Sequence, residues 1–370
     1  MPELSVINKI NKELPSIIGN SSEIYIIGHK TVDFDSIGAA LGMARLCRKY
    51  IDNDRIFIVL NDQDETLEPG LKRIKYESKE EYNIIDLNEF YSREKMESPT
   101  LLVVDTNRKS LIDLKDDLHG FGNIIVIDHH NSTQDSIETK YCFIDPNSSS
   151  ACEIVARLLN LNKICYDKNI ATYLLAGIML DTKRYIKNTT SKTMDTAEKL
   201  LAKGADYNKI NDLFLVDFEQ DRKINDLIFN NTVFEAYDYG IPRNISYTFN
   251  IYGADAIYRR EELGRAADKM LKYRVDAVFV LGKIDENTIA ISARSKSDVN
   301  VGAIMEQLGG GGNAQNAGCQ IQGENMLEIS GLLRETVKTN LQFKTALEED
   351  PKNAKFQYVK KIPKKTPKKD

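Results

Sequence analysis

Two adjacent histidines beside a carboxylate are the residues of this sequence best suited to carry out chemistry. Asp128, His129 and His130 follow an apolar run, and the 370-residue chain contains only four histidines. A third histidine, His29, follows another apolar run near the N-terminus. Open α/β sheets place ligand-binding and catalytic groups at the carboxyl ends of their strands. The histidines therefore indicate a metal-centred active site.

Several carboxylates complete the set of candidate metal ligands. Each candidate lies at or just beyond the end of an apolar segment: His29, Asp33, Asp35, Asp105, His129 and Asp181. Imidazole combined with several carboxylates suits Mn²⁺ or Mg²⁺ better than a metal that prefers thiolates. Six ligands are too many for one ion that also keeps water. Two ions that share a carboxylate would use all six, at a separation of about 3.5–4 Å.

The spacing of the first carboxylates is compatible with such a pair of ions. In an extended segment, residues two apart project to the same side, so Asp33 and Asp35 would approach neighbouring ions while Phe34 points into the protein. The turn before them would return His29 to the ion bound by Asp33. We predict that Asp105 bridges the two ions if its strand lies beside the first strand.

Apolar runs and helical patterns alternate through the first half of the chain. Strands are predicted at residues 24–27, 56–60, 101–104 and 124–127. Helices are predicted at residues 36–50, 149–159, 169–180 and 191–203, the last ending at Gly204. The strands are nearly continuous apolar runs, as expected for parallel strands that are buried on both faces. This pattern predicts an α/β fold with a mostly parallel sheet flanked by helices.

The length of the chain predicts two domains, each large enough for its own core. Residues 1–205 would form the catalytic domain, residues 206–238 a connecting helical region, and residues 239–345 a smaller α/β domain across a cleft. In the smaller domain we predict strands at 245–251, 277–281 and 288–293, and helices at 260–272 and 301–308. Residues 346–370, which are rich in lysine, would be a disordered tail.

Charge and composition narrow the expected partners and location. Residues 351–370 carry eight lysines and one aspartate, a charge of +7, so the net charge of −5 leaves −12 for residues 1–350. Long nucleic acid, which is bound through many phosphate contacts, is not expected on such an acidic body. No apolar segment approaches the roughly 18 residues of a membrane span.

The five cysteines form no C-x-x-C pair. The N-terminus does not resemble a signal peptide. We expect a cytoplasmic protein.

The motifs of the chain resemble those of DHH-family phosphoesterases. In the order of that family they are Gly28-His29-Lys30-x-x-Asp33-x-Asp35, Val104-Asp105-Thr106, Asp128-His129-His130 and Gly177-Ile178-x-x-Asp181-Thr182. The second half resembles the DHH-associated substrate-binding domain through Ile291-Ser292-Ala293-Arg294-Ser295 and the run Gly309-Gly310-Gly311-Gly312. The combination is most similar to the catalytic portion of GdpP-type cyclic di-AMP phosphodiesterases. The transmembrane, PAS and GGDEF modules of those enzymes have no counterpart in this sequence.

The resemblance implies a role for each site residue. One Mn²⁺ would be held by His29, Asp33 and Asp105, and a second by Asp35, Asp105, His129 and Asp181. Asp128 would orient a histidine ring, and His130 would face the substrate. The substrate would contact His130, Ser292, Arg294, Gly309, Gly310, Gly311, Gly312 and Asn313. Arg294 offers paired donors to a phosphate, and glycines allow close approach of backbone N–H groups. Asp105, His130 and Arg294 would act directly in catalysis.

The activity implied by the resemblance is opening of cyclic di-AMP to linear pApA by water that two Mn²⁺ ions activate, with Mg²⁺ or Co²⁺ as substitutes. Two alternatives stay open. One is a nanoRNase-like exonuclease that degrades pApA or short oligonucleotides, and the other is a sensor that binds nucleotides without turnover. A homodimer stays open as well. One departure concerns Asn313, which stands where the family usually has histidine and cannot carry a positive charge, so substrate preference could differ.

Overall fold

The structure, a computed structural model, describes residues 5–60, 68–114, 118–238, 242–249, 256–323 and 325–349. The chain divides into two compact units, Met1–Val216 and Asp217–Asp370. Each unit contains a six-stranded sheet with apolar residues packed against it. The prediction of a two-domain α/β protein is therefore confirmed. None of the described helices is both long enough and apolar enough to cross a membrane.

Strands and helices alternate in the first unit, as predicted. In chain order they are α1 (Val6–Gly19), β1 (Ile24–Ile27), α2 (Phe34–Cys47), β2 (Ile56–Val59), α3 (Pro69–Ser78), β3 (Asn83–Ile85), α4 (Leu87–Ser92), β4 (Thr100–Val104), β5 (Asn123–Asp128), β6 (Tyr141–Ile144), α5 (Ala151–Leu161), α6 (Lys168–Asp181), α7 (Ser191–Ala202) and α8 (Tyr207–Leu213). The four predicted strands and four predicted helices of this unit agree with these bounds to within three residues. The short edge strands β3 and β6 were not predicted, because runs of only three or four residues give little periodic signal.

All six strands of the first sheet run parallel, in the order β3-β2-β1-β4-β5-β6. The order reverses at β1, which pairs with β2 on one side and with β4 on the other. Open α/β sheets bind their ligands at the carboxyl edge where the order reverses. Residues that follow β1 and β4 therefore lie side by side at the expected place for a site.

Both faces of this sheet are covered by apolar side chains. Ile24 and Ile26 of β1 belong to the core that includes α2, α5 and α6, whereas Tyr25 and Ile27 belong to the core on the other face. Alternating residues of one strand thus enter different cores. This arrangement explains why the predicted strands are continuously apolar rather than alternating.

The second unit is built on a mixed sheet. Its elements are α9 (Phe218–Asn231), β7 (Thr232–Asp238), β8 (Pro242–Phe249), α10 (Arg260–Met270), β9 (Ala277–Lys283), β10 (Thr288–Ser295), α11 (Val301–Gln307), β11 (Gly311–Gly312), β12 (Asn316–Gln322) and α12 (Met326–Glu349). The strand order is β11-β12-β10-β9-β8-β7, with β8 and β9 parallel and the other neighbours antiparallel. The predicted strands and helices of this unit overlap β8, β9, β10, α10 and α11.

Three features of the second half differ from the prediction. The range 206–238, predicted as a connecting helical region, ends in strand β7, whose β-branched and aromatic residues pair with β8. The long helix α12 was not predicted, and it extends to Glu349, beyond the predicted start of a disordered tail at residue 346. The remainder of that predicted tail, residues 350–370, lies outside the described residues.

Candidate metal centre

The six predicted metal ligands converge at the carboxyl edge of the first sheet. His29 and Asp33 follow β1, Asp105 follows β4, and His129 follows β5. Asp35 lies in the first turn of α2, and Asp181 is the last residue of α6. Strand β1 pairs with β4, which is the condition set for a bridging Asp105, and this pairing brings Asp105 beside the ligands that follow β1.

The ligand atoms form two clusters that share Asp105. The first contains His29, Asp33 and Asp105, and the second contains Asp35, Asp105, His129 and Asp181; within each cluster the atoms lie within 4.8 Å of one another. Asp105 Oδ2 lies 3.3 Å from His29 Nε2, whereas Asp105 Oδ1 lies 3.4 Å from His129 Nε2. The two oxygens of one carboxylate thus face different clusters.

The first two carboxylates are oriented by helix α2 rather than by an extended segment. Asp33 is the N-cap of α2, and its Oδ1 accepts hydrogen bonds from the backbone N–H groups of Asp35 and Ser36 at 3.0 and 2.9 Å. Asp33 Oδ2 is left 3.4 Å from His29 Nε2. The prediction of an extended segment from Asp33 to Asp35 is therefore wrong, because capping begins the helix at Phe34. Phe34 is buried, as predicted.

Asp35 is held by the N-terminus of a second helix. It is fully buried and accepts backbone N–H groups from Ala151 and Cys152 of α5 at 2.7 and 2.8 Å. These two hydrogen bonds satisfy one lone pair on each carboxylate oxygen and compensate part of the cost of burying the charge. Asp35 Oδ2 remains 3.9 Å from His129 Nε2.

The backbone of Asp105 adopts a conformation that few non-glycine residues adopt. Its φ is 60°, in the left-handed region, and its side chain is 3% exposed. Such a conformation costs roughly 1–2 kcal/mol for most residues, although aspartate and asparagine tolerate it better. Strain of this kind persists where the surrounding structure imposes it, and it is concentrated at functional sites.

Two buried polar atoms in the second cluster make no hydrogen bond. These are Asp105 Oδ1 and His129 Nε2, both of which lie near oppositely charged groups without hydrogen-bond geometry. Leaving a buried polar atom unsatisfied costs about 1–3 kcal/mol. Buried oxygen and nitrogen atoms that face one another without a hydrogen bond are suited to binding a cation.

Burial and mutual repulsion perturb the titration of the cluster strongly. Burial raises the pKa of Asp105 to about 8 and that of Asp181 to about 6, and in both cases the Asp35 charge adds to the effect. Burial lowers the pKa of His29 and His129, but the adjacent carboxylates outweigh it and raise both values to about 11. The concentrated negative charge therefore favours any positive group at this site.

His130 is oriented by Asp128, although the two side chains differ in burial. Asp128 is fully buried, whereas the His130 side chain is 54% exposed. Asp128 Oδ1 lies 2.9 Å from His130 Nδ1 and also accepts the backbone N–H groups of His129 and His130. The hydrogen bond to Asp128 raises the pKa of His130, although burial lowers it. Asp128 thus orients His130 rather than the candidate ligand His129.

Asn107 is a site residue that the sequence analysis did not identify. It is 1% exposed, and its Nδ2 donates to Asp128 Oδ2 at 2.6 Å and to the His130 carbonyl at 3.1 Å. Its Oδ1 accepts a hydrogen bond from Ser136 Oγ at 2.8 Å. The available signal was its position two residues after Asp105, because a polar residue so close to a strand-end ligand belongs to the same edge.

Glycines in α2 and α6 allow close packing around Asp35. A Cβ on Gly177 of α6 would lie 2.5 Å from Cys152 Sγ and 2.8 Å from Asp35 Oδ1. A Cβ on Gly38 of α2 would lie 2.8 Å from the same sulfur. The glycine in the motif that contains Asp181 therefore has a steric role beside a candidate ligand.

Gly177→Ala is expected to lower the free energy of unfolding by about 1–3 kcal/mol, because the new methyl group overlaps buried atoms. It should also reduce the affinity of the cluster for a divalent cation, since Asp35 is a candidate ligand and must move. Chemical denaturation and metal titration would measure both changes. Gly19→Ala is the matched control, because a Cβ there meets no atom within 4 Å. Equal stability of the two variants would contradict the packing argument.

Apart from His130, the predicted substrate-binding residues lie in the second unit, and only some of them line a pocket. The pocket is lined by Arg260, Leu263, Ala290, Ile291, Ser292, Gly309, Gly310, Gly318, Cys319 and Gln320. Of the predicted residues, Ser292, Gly309 and Gly310 belong to this lining. Gly311 and Gly312 form the short strand β11 beside β12, and Gly312 has a φ of 144° that favours glycine.

Arg294 and Asn313 are engaged in contacts within the second unit. Arg294 Nε donates to Asp268 Oδ1 at 3.2 Å, and its Nη1 donates to Ser292 Oγ and to the Ala293 carbonyl. Asn313 Oδ1 accepts backbone N–H groups from the next residues in the turn between β11 and β12. The Arg294 guanidinium and the Asn313 side-chain oxygen, which were predicted to contact the substrate, therefore already make hydrogen bonds within the protein.

Two known protein families match the parts of the chain in which the predicted motifs lie. Residues 23–178 match the DHH family, N-terminal domain, and residues 245–339 match the DHHA1 domain. Together these ranges contain the predicted substrate-binding residues and all the predicted metal ligands except Asp181. The chain therefore carries a DHH domain and a DHHA1 domain. The resemblance stated from the sequence is thereby confirmed.

Individual relatives differ in length from this chain. The cyclic-di-AMP phosphodiesterase GdpP of Bacillus subtilis (strain 168) is 32% identical over 341 residues, which cover 89% of this chain and 49% of GdpP. The bifunctional oligoribonuclease and PAP phosphatase NrnA of Mycoplasma genitalium is 26% identical over 331 residues, which cover 88% of this chain and 96% of NrnA. The chain thus spans about half the length of GdpP.

A solved structure shows the same fold. The crystal structure of an exopolyphosphatase-related protein from Bacteroides fragilis matches with a TM-score of 0.72 and 21% identity, over 93% of this chain and 98% of that one. The match covers nearly all of both chains, so the two proteins share a fold.

Proposed function

We propose that the chain is a manganese-dependent phosphodiesterase that hydrolyses cyclic di-AMP to linear 5′-pApA. The observation that carries the proposal is the position of Asp105, whose two oxygens face two separate clusters of ligand atoms. A carboxylate shared between two cations is typical of two-metal phosphoester hydrolysis. The similarity to GdpP over 89% of this chain supports the choice of substrate.

The residues of the site are suited to two cations of the Mn²⁺ type. His29, Asp33 and Asp105 would hold one, and Asp35, Asp105, His129 and Asp181 the other. The unsatisfied atoms Asp105 Oδ1 and His129 Nε2 support this assignment. Oxygen and imidazole ligands favour Mn²⁺, with Mg²⁺ or Co²⁺ as substitutes. When bound, such ions would lower the pKa of a coordinated water and offset charge on the phosphoryl oxygens.

The side chains around the ions would orient the reacting groups. His130, held through Nδ1 by Asp128, would donate a hydrogen bond from Nε2 to a phosphoryl oxygen or a proton to the departing 3′ oxygen. Water supplies the oxygen that forms the new bond to phosphorus as the bond to the 3′ oxygen breaks. Asn107 would hold Asp128 in place through their hydrogen bond.

The second unit would bind the nucleotide. Ser292, Arg294, Asn313 and the backbone of residues 309–312 remain the proposed contacts, with Ser292, Gly309 and Gly310 at the pocket surface. The strong negative charge of residues 1–350 is compatible with a small substrate held by cations, and it does not favour long nucleic acid.

The decisive experiment measures initial rates on cyclic di-AMP and pApA, with Mn²⁺ and with EDTA. We expect cyclic di-AMP to be converted to pApA with Mn²⁺, and we expect EDTA to abolish turnover until Mn²⁺ is restored in excess. Product identification by chromatography distinguishes pApA from mononucleotides. Undiminished hydrolysis in EDTA after exhaustive dialysis would contradict the metal requirement.

A nanoRNase-like exonuclease is the second candidate, and the near-complete coverage of NrnA favours it. It predicts that pApA is degraded to mononucleotides while cyclic di-AMP stays intact. A sensor without catalysis predicts nucleotide binding with no turnover at any Mn²⁺ concentration. The same panel of substrates therefore separates all three functions.

A further inference from the structure

Glu153 is a buried carboxylate that joins two helices of the first unit. It is the third residue of α5, and its side chain is fully buried. Its Oε2 accepts hydrogen bonds from the backbone N–H of Ser149 at 3.0 Å, from Ser149 Oγ at 2.7 Å and from Thr193 Oγ1 at 2.9 Å. Thr193 is the third residue of α7 and is also buried. Glu153 therefore links the first turn of α5 to the first turn of α7.

The other carboxylate oxygen of Glu153, Oε1, makes no hydrogen bond within the described part of the chain, and it lies 3.5 Å from Arg157 Nη1. A glutamate at this position of a helix usually returns its side chain to the N–H of the N-cap residue. Here the N-cap is Ser150, and Glu153 reaches past it to Ser149. Burial of a carboxylate is costly unless donors compensate it. The three donors to Oε2 therefore fix the position of this side chain.

The first turn of α5 also holds the candidate ligand Asp35. The backbone N–H groups of Ala151 and Cys152, the two residues before Glu153, donate to the two Asp35 oxygens at 2.7 and 2.8 Å. Cys152 Sγ donates to the Asp35 carbonyl at 3.3 Å. A single helical turn thus contacts Asp35 and is fixed to α7 by its own glutamate. Displacement of this turn would move the donors on which the orientation of the Asp35 carboxylate depends.

We propose that Glu153 is a positioning residue for the second ligand cluster, in which it holds Asp35 in place through the first turn of α5. The proposal rests on the part of the proposed function that places a cation in this cluster. Glu153 is not itself a candidate ligand, since it belongs to neither cluster. Removal of a group that orients a metal ligand typically lowers metal affinity by about 10–100-fold. Loss of Glu153 should therefore weaken the binding of one cation and leave the other bound.

Titration of the full chain with Mn²⁺ alone tests this role. Glu153→Met removes both carboxylate oxygens but keeps an unbranched side chain of similar length. It should raise one Mn²⁺ dissociation constant about tenfold or more, while the other stays within about threefold of wild type. Glu153→Gln keeps an oxygen that can accept hydrogen bonds from Ser149 and Thr193, so it should recover most of the lost affinity. Denaturant unfolding of each variant establishes that it is folded.

Thr193→Val tests the same link by removing one donor to Glu153, and it should weaken the same Mn²⁺ by a smaller factor. The matched control is Thr196→Val, because Thr196 is also buried in α7 but its hydroxyl donates to the Lys192 carbonyl of the same helix at 2.8 Å. This control should bind both ions as wild type does. Combination of Glu153→Met with His129→Gln, which lacks a ligand of the second cluster, should not weaken the ion of the first cluster further.

Unchanged Mn²⁺ affinities in folded Glu153→Met would overturn the role of Glu153. Equal weakening of both ions would also overturn it, because that result indicates a general loss of structure. If Glu153→Met does not fold, Thr193→Val decides between the same outcomes. Binding of fewer than two Mn²⁺ by wild type would instead refute the two-cation part of the proposed function, and the inference with it.

Discussion

The variant Asp105→Asn is expected to lose the proposed hydrolysis of cyclic di-AMP by at least about a thousandfold, because Asp105 would hold both of the cations that offset charge on the phosphate. Asparagine keeps the size of the side chain and tolerates the left-handed backbone at this position, where φ is 60°. The variant should therefore fold. Steady-state rates with saturating Mn²⁺ measure the loss.

The same variant is expected to lose activity but to gain stability towards unfolding when no metal is bound. Burial and the Asp35 charge raise the pKa of Asp105 in the folded protein to about 8, above the ordinary value of 3.8. A raised carboxyl pKa favours folding at low pH, and this contribution is lost as pH rises from about 4 to 8. In EDTA, Asp105→Asn should thus resist denaturant better than wild type, and the difference should grow between pH 5 and pH 8.

Asp195→Asn is the control for both measurements, because it makes the same chemical change at an exposed position of α7. It should match wild type in rate and nearly match it in stability. Near-normal turnover by folded Asp105→Asn would show that the shared carboxylate is not needed. If Asp105→Asn were less stable than wild type in EDTA at pH 8, the negative charge of Asp105 would be compensated by neighbouring groups such as His29 and His129.

Substitution of the two adjacent histidines is expected to affect different steps, turnover for His130 and metal binding for His129. His130→Gln should lower kcat by about 10²–10³-fold, in the range found for loss of a donor or general acid, while Mn²⁺ affinity stays near that of wild type. His129→Gln should weaken Mn²⁺ binding by more than the roughly 10–100-fold typical of residues that only orient a ligand. The reason is geometric: His129 Nε2 lies 3.0 Å from Asp181 Oδ2 inside the cluster, whereas His130 Nδ1 is used by Asp128.

Mn²⁺ titration and steady-state kinetics on both variants measure this difference. Excess Mn²⁺ should restore part of the activity of His129→Gln and none of that of His130→Gln. Rescue of both variants by Mn²⁺ would place both imidazoles on the metals. Rescue of neither, with metal affinity intact in both, would remove His129 from the ligand set.

The parallel sheet of the first unit and the edge that carries its ligands could be predicted, because both follow from the apolar pattern of the strands. Continuous apolar strands indicate a parallel sheet, and a parallel sheet brings the residues after its strands to one edge. His29, Asp105 and His129 follow three different strands, so their convergence needed no knowledge of side-chain packing. Asp181 was recognised in spite of its position on a helix, because it also ends an apolar segment.

Features that depend on packing could not be predicted in this way. The capping role of Asp33 and the left-handed φ of Asp105 arise from local hydrogen bonds and neighbouring strands. Asn107 is buried beside Asp128 only because β4 and β5 are adjacent. Arg260 lies far from the glycine run in sequence, and only the packing of α10 on the sheet brings both to the lining of one pocket.

The proposed hydrolysis depends on one carboxylate that is shared by two cations, and the number of bound ions can be counted. Equilibrium dialysis of wild type and Asp105→Asn against Mn²⁺, followed by elemental analysis, gives the number of ions per chain. We expect two ions for wild type and fewer than two for Asp105→Asn at the same free Mn²⁺ concentration. A single ion in saturated wild type, or two ions retained with equal affinity by Asp105→Asn, would contradict it.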